Sequence, residues 1–128
     1  MTFDHAGIAT DDAGGFADLY AGLLGCPVAH EETFDGMAVV FLDLDDGYLE
    51  LLEPLDDDGA IASYLAENGP GIHHLAFATE DIEGALANAR DRDIDLVDEE
   101  PREGAWGHDV AFLHPASTGG ILVEFVEH

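Results

Sequence analysis

The sequence predicts an α+β fold in which one strand–helix–strand arrangement occurs twice within a single domain. Three observations carry this prediction. The chain has 128 residues, the size of one compact domain, and its 47% hydrophobic content is enough to bury a core. The segment His5-Ala-Gly-Ile-Ala-Thr10-Asp-Asp12 is echoed by His74-Leu-Ala-Phe-Ala-Thr79-Glu-Asp81. Further on, Glu50-Leu-Leu-Glu53 is echoed by Glu124-Phe-Val-Glu127. A repeat of this kind is weighed first, because the fold follows from it.

The elements follow in order. His5 to Ala9 reads as a short strand, and Asp11 and Asp12 as helix-capping residues. Phe16, Leu19, Tyr20 and Leu23 then form a helical stripe closed by Gly25. Met37 to Leu44 is a strand, Asp45 to Gly47 a turn, and Tyr48 to Glu53 a second strand. A connector over 55–70 holds a short helix around Ile61, Tyr64 and Leu65, stopped by Asn68-Gly69-Pro70. The second half repeats the pattern. A strand from His74 is followed by a helix carrying Ile82, Leu86 and Ala89. Then come a strand at Asp109 to Leu113, a longer turn at His114 to Gly120, and a closing strand at Ile121 to Glu127. Module one thus spans about 1–54 and module two about 71–128. Either half alone is marginally stable at that size, so the two are expected to pack as one unit or across a dimer.

The charge limits the partners. Asp and Glu number 29 against three arginines (Arg90, Arg92, Arg102) and no lysine, for a net charge of −26. No basic footprint for nucleic acid can be assembled from this chain. The acid is spread over turns and helix faces rather than gathered into a tail. Such a surface suits molar salt, where the Debye length shrinks to about 3 Å and self-repulsion is screened. A halophilic setting is the expectation. One cysteine, Cys26, forms no internal disulfide, the start of the chain carries no apolar signal core, and no apolar run has membrane-spanning length. The expected compartment is the cytoplasm.

The repeat also aligns chemistry. It sets a histidine (His5, His74) at the start of the first strand of each half and a glutamate (Glu50, Glu124) in the last. Two imidazoles and two carboxylates suit Zn, Co, Ni, Mn or Fe(II) better than Ca or a thiolate-bound metal. Glu50 and Glu124 each sit between apolar neighbours, and an inward carboxylate is costly unless something binds it. The opposing reading is that strand histidines are usually hydrogen-bonded core residues and strand glutamates usually face water. Glu53 and Glu127, on the other face of their strands, are expected to do the latter.

At these residues the sequence resembles the vicinal oxygen chelate superfamily and, within it, the methylmalonyl-CoA epimerase family. The matching stretches are Asp4-His5-Ala-Gly-Ile-Ala9, Tyr20-Ala-Gly-Leu-Leu-Gly25, Leu49-Glu50-Leu-Leu-Glu-Pro54, Gly71-Ile-His-His74-Leu-Ala-Phe77, Glu100-Pro-Arg-Glu-Gly-Ala105 and Phe112-Leu-His-Pro115 through Gly119-Gly-Ile-Leu-Val-Glu124. They cover nearly the whole chain in order. The resemblance implies two paired βαβββ modules forming a curved mixed sheet around one metal site, with His5, Glu50, His74 and Glu124 as ligands. His74 rather than His73 aligns with His5, so His73 should point away from the metal. It further implies a homodimer activated by cobalt or manganese, with an acyl-CoA substrate.

The implied reaction is epimerisation at C2 of methylmalonyl-CoA through an enolate, in propionate metabolism, next to a mutase acting on the other epimer. Inversion needs an acid/base group on each face of C2. Glu124 is the candidate for one, as ligand and base. For the other, some relatives carry a glutamate shortly after the glycine corresponding to Gly36, where this chain has Val39. Glu50, Asp43, His114 or a metal-bound water remain as substitutes. Only Arg102 lies in a loop matching one that could meet CoA phosphates, and the bland reading is a solvated arginine. A glyoxalase I-type lyase is the alternative enzyme. An extradiol dioxygenase fits less well because Glu50 adds a fourth protein ligand, and a metal-free drug-sequestering binder fits less well because all four ligand positions are intact.

Overall fold

The computed structural model covers residues 1–128 and gives the same order of elements twice. The first set is β1 (Thr2–Ala9), α1 (Ala13–Leu24), β2 (Val28–Phe34), β3 (Met37–Leu44) and β4 (Gly47–Pro54). After α2 (Ala60–Asn68) come β5 (Gly71–Ala78), α3 (Ile82–Asp91), β6 (Arg102–Glu103), β7 (Asp109–Leu113) and β8 (Val123–Glu127). The architecture is therefore α+β with two βαβββ modules. The chain divides into two compact units, His5–His73 and Met1–Asp4 with His74–His128.

In the His5–His73 unit the strand order is β2-β3-β4-β1. β1 runs parallel to β4 with Gly7 opposite Glu50, while β3 is antiparallel to both β4 and β2. The β2–β3 hairpin turns at Asp35 (φ 51°) and Gly36 (φ 74°), the two positive φ values that a tight primed turn requires. Asp12 caps α1 by accepting a hydrogen bond from the Gly15 amide at 3.0 Å, and Gly25 ends the helix in the left-handed region at φ 68°. Ala13 and Ala17 of α1 pack on Cys26, Val40, Leu42 and Leu51, with Phe16 and Tyr20 alongside. The helical stripe differs from expectation here. Leu19 and Leu23 are 55% and 70% exposed. Small residues at 13 and 17 bring the helix close to the sheet along the 13/16/17/20 face, and this rotates 19 and 23 outward.

In the other unit the order is β5-β8-β7-β6, with β5 parallel to β8 and the remaining pairs antiparallel. Asp81 caps α3 through the Gly84 amide at 3.0 Å, as Asp12 caps α1. Ile82, Leu86 and Ala89 pack on Ala111, Leu113 and Phe125, the core face that the spacing anticipates. Because strand side chains alternate, the helix-packed residues Val40, Leu42 and Leu51 leave Val39, Phe41 and Glu50 on the opposite face of their sheet. No helix is long and apolar enough to cross a membrane.

Candidate metal centre

The two units present the same chemistry in the same register. In one, Glu50 of β4 lies opposite Gly7 of β1, two residues beyond His5. In the other, Glu124 of β8 lies opposite Ala76 of β5, two residues beyond His74. Parallel pairing thus sets each imidazole beside its carboxylate. His5 Nε2 is 3.2 Å from Glu50 Oε1, and His74 Nε2 is 3.4 Å from Glu124 Oε1. All four residues are buried, at 4% to 6% exposure. An aromatic ring completes each set. Phe41, cross-strand from Glu50, meets the His5 ring edge-to-face at 5.7 Å, and Phe112, cross-strand from Glu124, meets His74 at 5.4 Å.

Burying a carboxylate costs several kcal/mol unless a cation or a set of donors compensates it. Two of the three arginines are engaged elsewhere. Arg90 pairs with Glu99, and Arg102 pairs with Asp98 at 3.1 Å while lying 5.6 Å over the Phe112 ring. The donor geometry suits a metal ion. Two donors each about 2.1 Å from one ion stand roughly 3.0 Å apart at an octahedral right angle and roughly 3.4 Å apart at the tetrahedral angle. The observed separations of 3.2 and 3.4 Å fall in that interval and exceed the usual N–H···O distance of about 2.9 Å. An imidazole with a carboxylate is also a donor type that borderline divalent ions take.

Other sequence candidates fall elsewhere. His73 packs edge-to-face on Tyr64 of α2 at 5.4 Å, while its neighbour His74 pairs with Glu124, as alternation along a strand requires. Asp43 is exposed near the end of β3. His114 is exposed and spends its Nδ1 on the Ala116 amide at 3.1 Å, starting a 3₁₀ turn at Pro115–Ser117. Val39 is 1% exposed and shares a face with Phe41 and Glu50. Glu53 and Glu127 do not simply face water. Glu53 accepts from the Ala13 amide at 2.8 Å and Glu127 from the Ile82 amide at 2.9 Å. Each helix opens with an amide that has no partner within the helix, and the final strand of each module supplies one.

One group escaped the sequence reading. On β2, His30 Nε2 and Glu32 Oε2 are 2.6 Å apart, with His30 opposite Phe41 and Glu32 opposite Val39. The signal in the sequence was the alternation His30, Glu32, Phe34, but which face it joined depended on register.

Residues 4–112 match the family model described as the Glyoxalase/Bleomycin resistance protein/Dioxygenase superfamily. The chain is 35% identical over 127 residues to a mitochondrial methylmalonyl-CoA epimerase of Dictyostelium discoideum, covering 97% of this chain and 76% of that protein. The crystal structure of methylmalonyl-CoA epimerase from Mycobacterium tuberculosis is similar with a TM-score of 0.93 at 34% identity, covering 98% of this chain and 87% of that one. A Streptomyces coelicolor methylmalonyl-CoA epimerase variant in complex with 2-nitronate-propionyl-CoA is similar with a TM-score of 0.92 at 37% identity, over 99% and 94% of the two chains.

Proposed function

The chain belongs to the Glyoxalase/Bleomycin resistance protein/Dioxygenase superfamily, and from that premise we propose that it is a methylmalonyl-CoA epimerase. The observation that carries the reading is the pair of buried His/Glu sets in matching register, on a chain similar over nearly its full length to epimerases of that substrate. His5, Glu50, His74 and Glu124 are proposed to hold one divalent ion between them, cobalt or manganese, within a single domain. When bound, such an ion supplies Lewis-acid stabilisation of negative charge on the thioester oxygen, worth several kcal/mol.

The protein's own residues do the rest. His5 and His74 would each offer an imidazole nitrogen, with the ring packed at right angles to that of Phe41 or Phe112. Those rings and the buried strand faces exclude water from around Glu50 and Glu124, which strengthens every charge interaction there. Glu124 moves the proton at C2 on one face of the substrate. Arg102, exposed on the edge strand β6 and paired with Asp98, is the proposed contact for a phosphate of coenzyme A. A homodimer in the cytoplasm of a salt-adapted cell completes the proposal.

The test is solvent exchange. Metal-loaded protein in molar salt, given methylmalonyl-CoA in deuterated buffer, should wash deuterium into C2 while interconverting the epimers. No exchange under those conditions sinks the epimerase reading. A glyoxalase I-type activity in its place would show as turnover of the glutathione hemithioacetal of methylglyoxal.

A further inference from the structure

We propose that Glu32, positioned by His30, is the second proton-transfer residue, serving the face of C2 that Glu124 does not reach; this rests on the epimerase reading above. Inversion requires two such groups, and Val39 cannot be one. The β2–β3 register puts Glu32 directly across from Val39 on the same face. Cross-strand pairs have Cβ atoms about 5 Å apart, a distance a glutamate side chain spans. A carboxylate thus reaches the place above Val39 from the neighbouring strand.

The row alongside points the same way. His30, Phe41 and Glu50 lie opposite one another across β2, β3 and β4. Two strand spacings separate His30 from Glu50 by about 10 Å at their Cβ atoms, which leaves room for a small acyl group between side chains extended from both ends. The Phe41 ring contacts both His5 (5.7 Å) and His30 (6.2 Å), so the metal-ligand side and the His30–Glu32 pair share one aromatic floor. His30 and Glu32 side chains are 27% and 24% exposed, open enough for a ligand yet shielded enough for a short contact to matter. Their strand neighbours Glu31 and Thr33 are exposed and belong to the opposite face, the one Val40 shares. An inward charge on an edge strand also discourages sheet-to-sheet pairing, but that role needs no histidine partner.

The step balances. The Glu32 carboxylate takes the C2 proton, and the electron pair of the C–H bond moves onto the thioester. A proton from the opposite carboxyl then forms the new C2–H bond as that pair returns. One carboxyl is formed and one consumed, and the reverse reaction uses them in exchanged roles.

The experiment separates exchange from inversion. Each configuration of methylmalonyl-CoA is incubated in deuterated buffer and molar salt with wild type, Glu32→Gln, His30→Gln and Glu31→Gln. Glu32→Gln should keep deuterium wash-in at C2 for one configuration while inversion slows by about 10²-fold or more. His30→Gln should shift the exchange-to-inversion ratio in the same direction by a smaller factor, and Glu31→Gln should match wild type. Inversion by Glu32→Gln at the wild-type rate overturns the assignment. So does a loss of exchange in both configurations by the same factor as inversion, in a variant with an unchanged circular dichroism spectrum. A wild-type protein that exchanges neither configuration instead removes the activity, and the assignment with it.

Discussion

Glu53, near the end of β4, accepts a hydrogen bond from the backbone amide of Ala13, the first residue of α1, at 2.8 Å. Glu127 does the same for Ile82 at the head of α3, at 2.9 Å. In each module the strand that carries a candidate ligand also fastens the helix behind it, three residues further on.

Glu53→Leu should therefore destabilise the fold by about 1–2 kcal/mol, since it removes a charge-assisted bond and leaves a helix amide without its partner. Glu53→Gln keeps an acceptor oxygen and should cost less. Denaturant unfolding in high salt checks both, and equal midpoints for wild type and Glu53→Leu would show that the tie contributes nothing.

Metal binding should discriminate between adjacent histidines. His74→Ala is expected to lose the ion, and with it the gain in Tm on adding Co or Mn, a gain worth about 2.7 kcal/mol at a hundredfold excess over Kd. His73→Ala, which removes a ring from the Tyr64 contact, should keep metal stoichiometry near that of wild type. Elemental analysis after desalting reads the difference.

The −26 charge sets a salt dependence with a definite sign. At low ionic strength the protein repels both itself and an anionic acyl-CoA, so stability and kcat/KM should rise together into molar salt. Full activity near 50 mM salt with an unchanged KM would contradict this.

Gly36→Ala should cost about 1 kcal/mol, because φ of 74° at that position strains any residue with a Cβ. The β2–β3 turn fixes the register that sets Glu32 opposite Val39, so inversion should suffer more than metal binding. A variant with wild-type stability would remove the strain argument.

Much of the fold was legible because the repeat announced itself twice, in His5/His74 and in Glu50/Glu124, and because Asp12, Asp81 and Gly25 are strong local stop and start signals. Ile82, Leu86 and Ala89 pack as their spacing says. Leu19 and Leu23 misled because periodicity marks two adjacent helix faces alike, and the small residues Ala13 and Ala17 decide which one meets the sheet. The four buried His and Glu residues were visible as types and positions. Their 3.2 and 3.4 Å pairings follow from parallel register, which a sequence does not encode locally. The ties of Glu53 and Glu127 and the face of His30 and Glu32 were hidden for the same reason. Each depends on which residue of a distant strand stands opposite.

The outer strands show what duplication leaves free to diverge. Glu32 stands opposite Val39, two residues before Phe41, and Arg102 stands opposite Val110, two residues before Phe112. Equivalent places in the two modules thus hold an acid in one and a guanidinium in the other. An acid on one outer strand and a cation on the other make the two modules chemically distinguishable at a place where the repeat would otherwise make them alike.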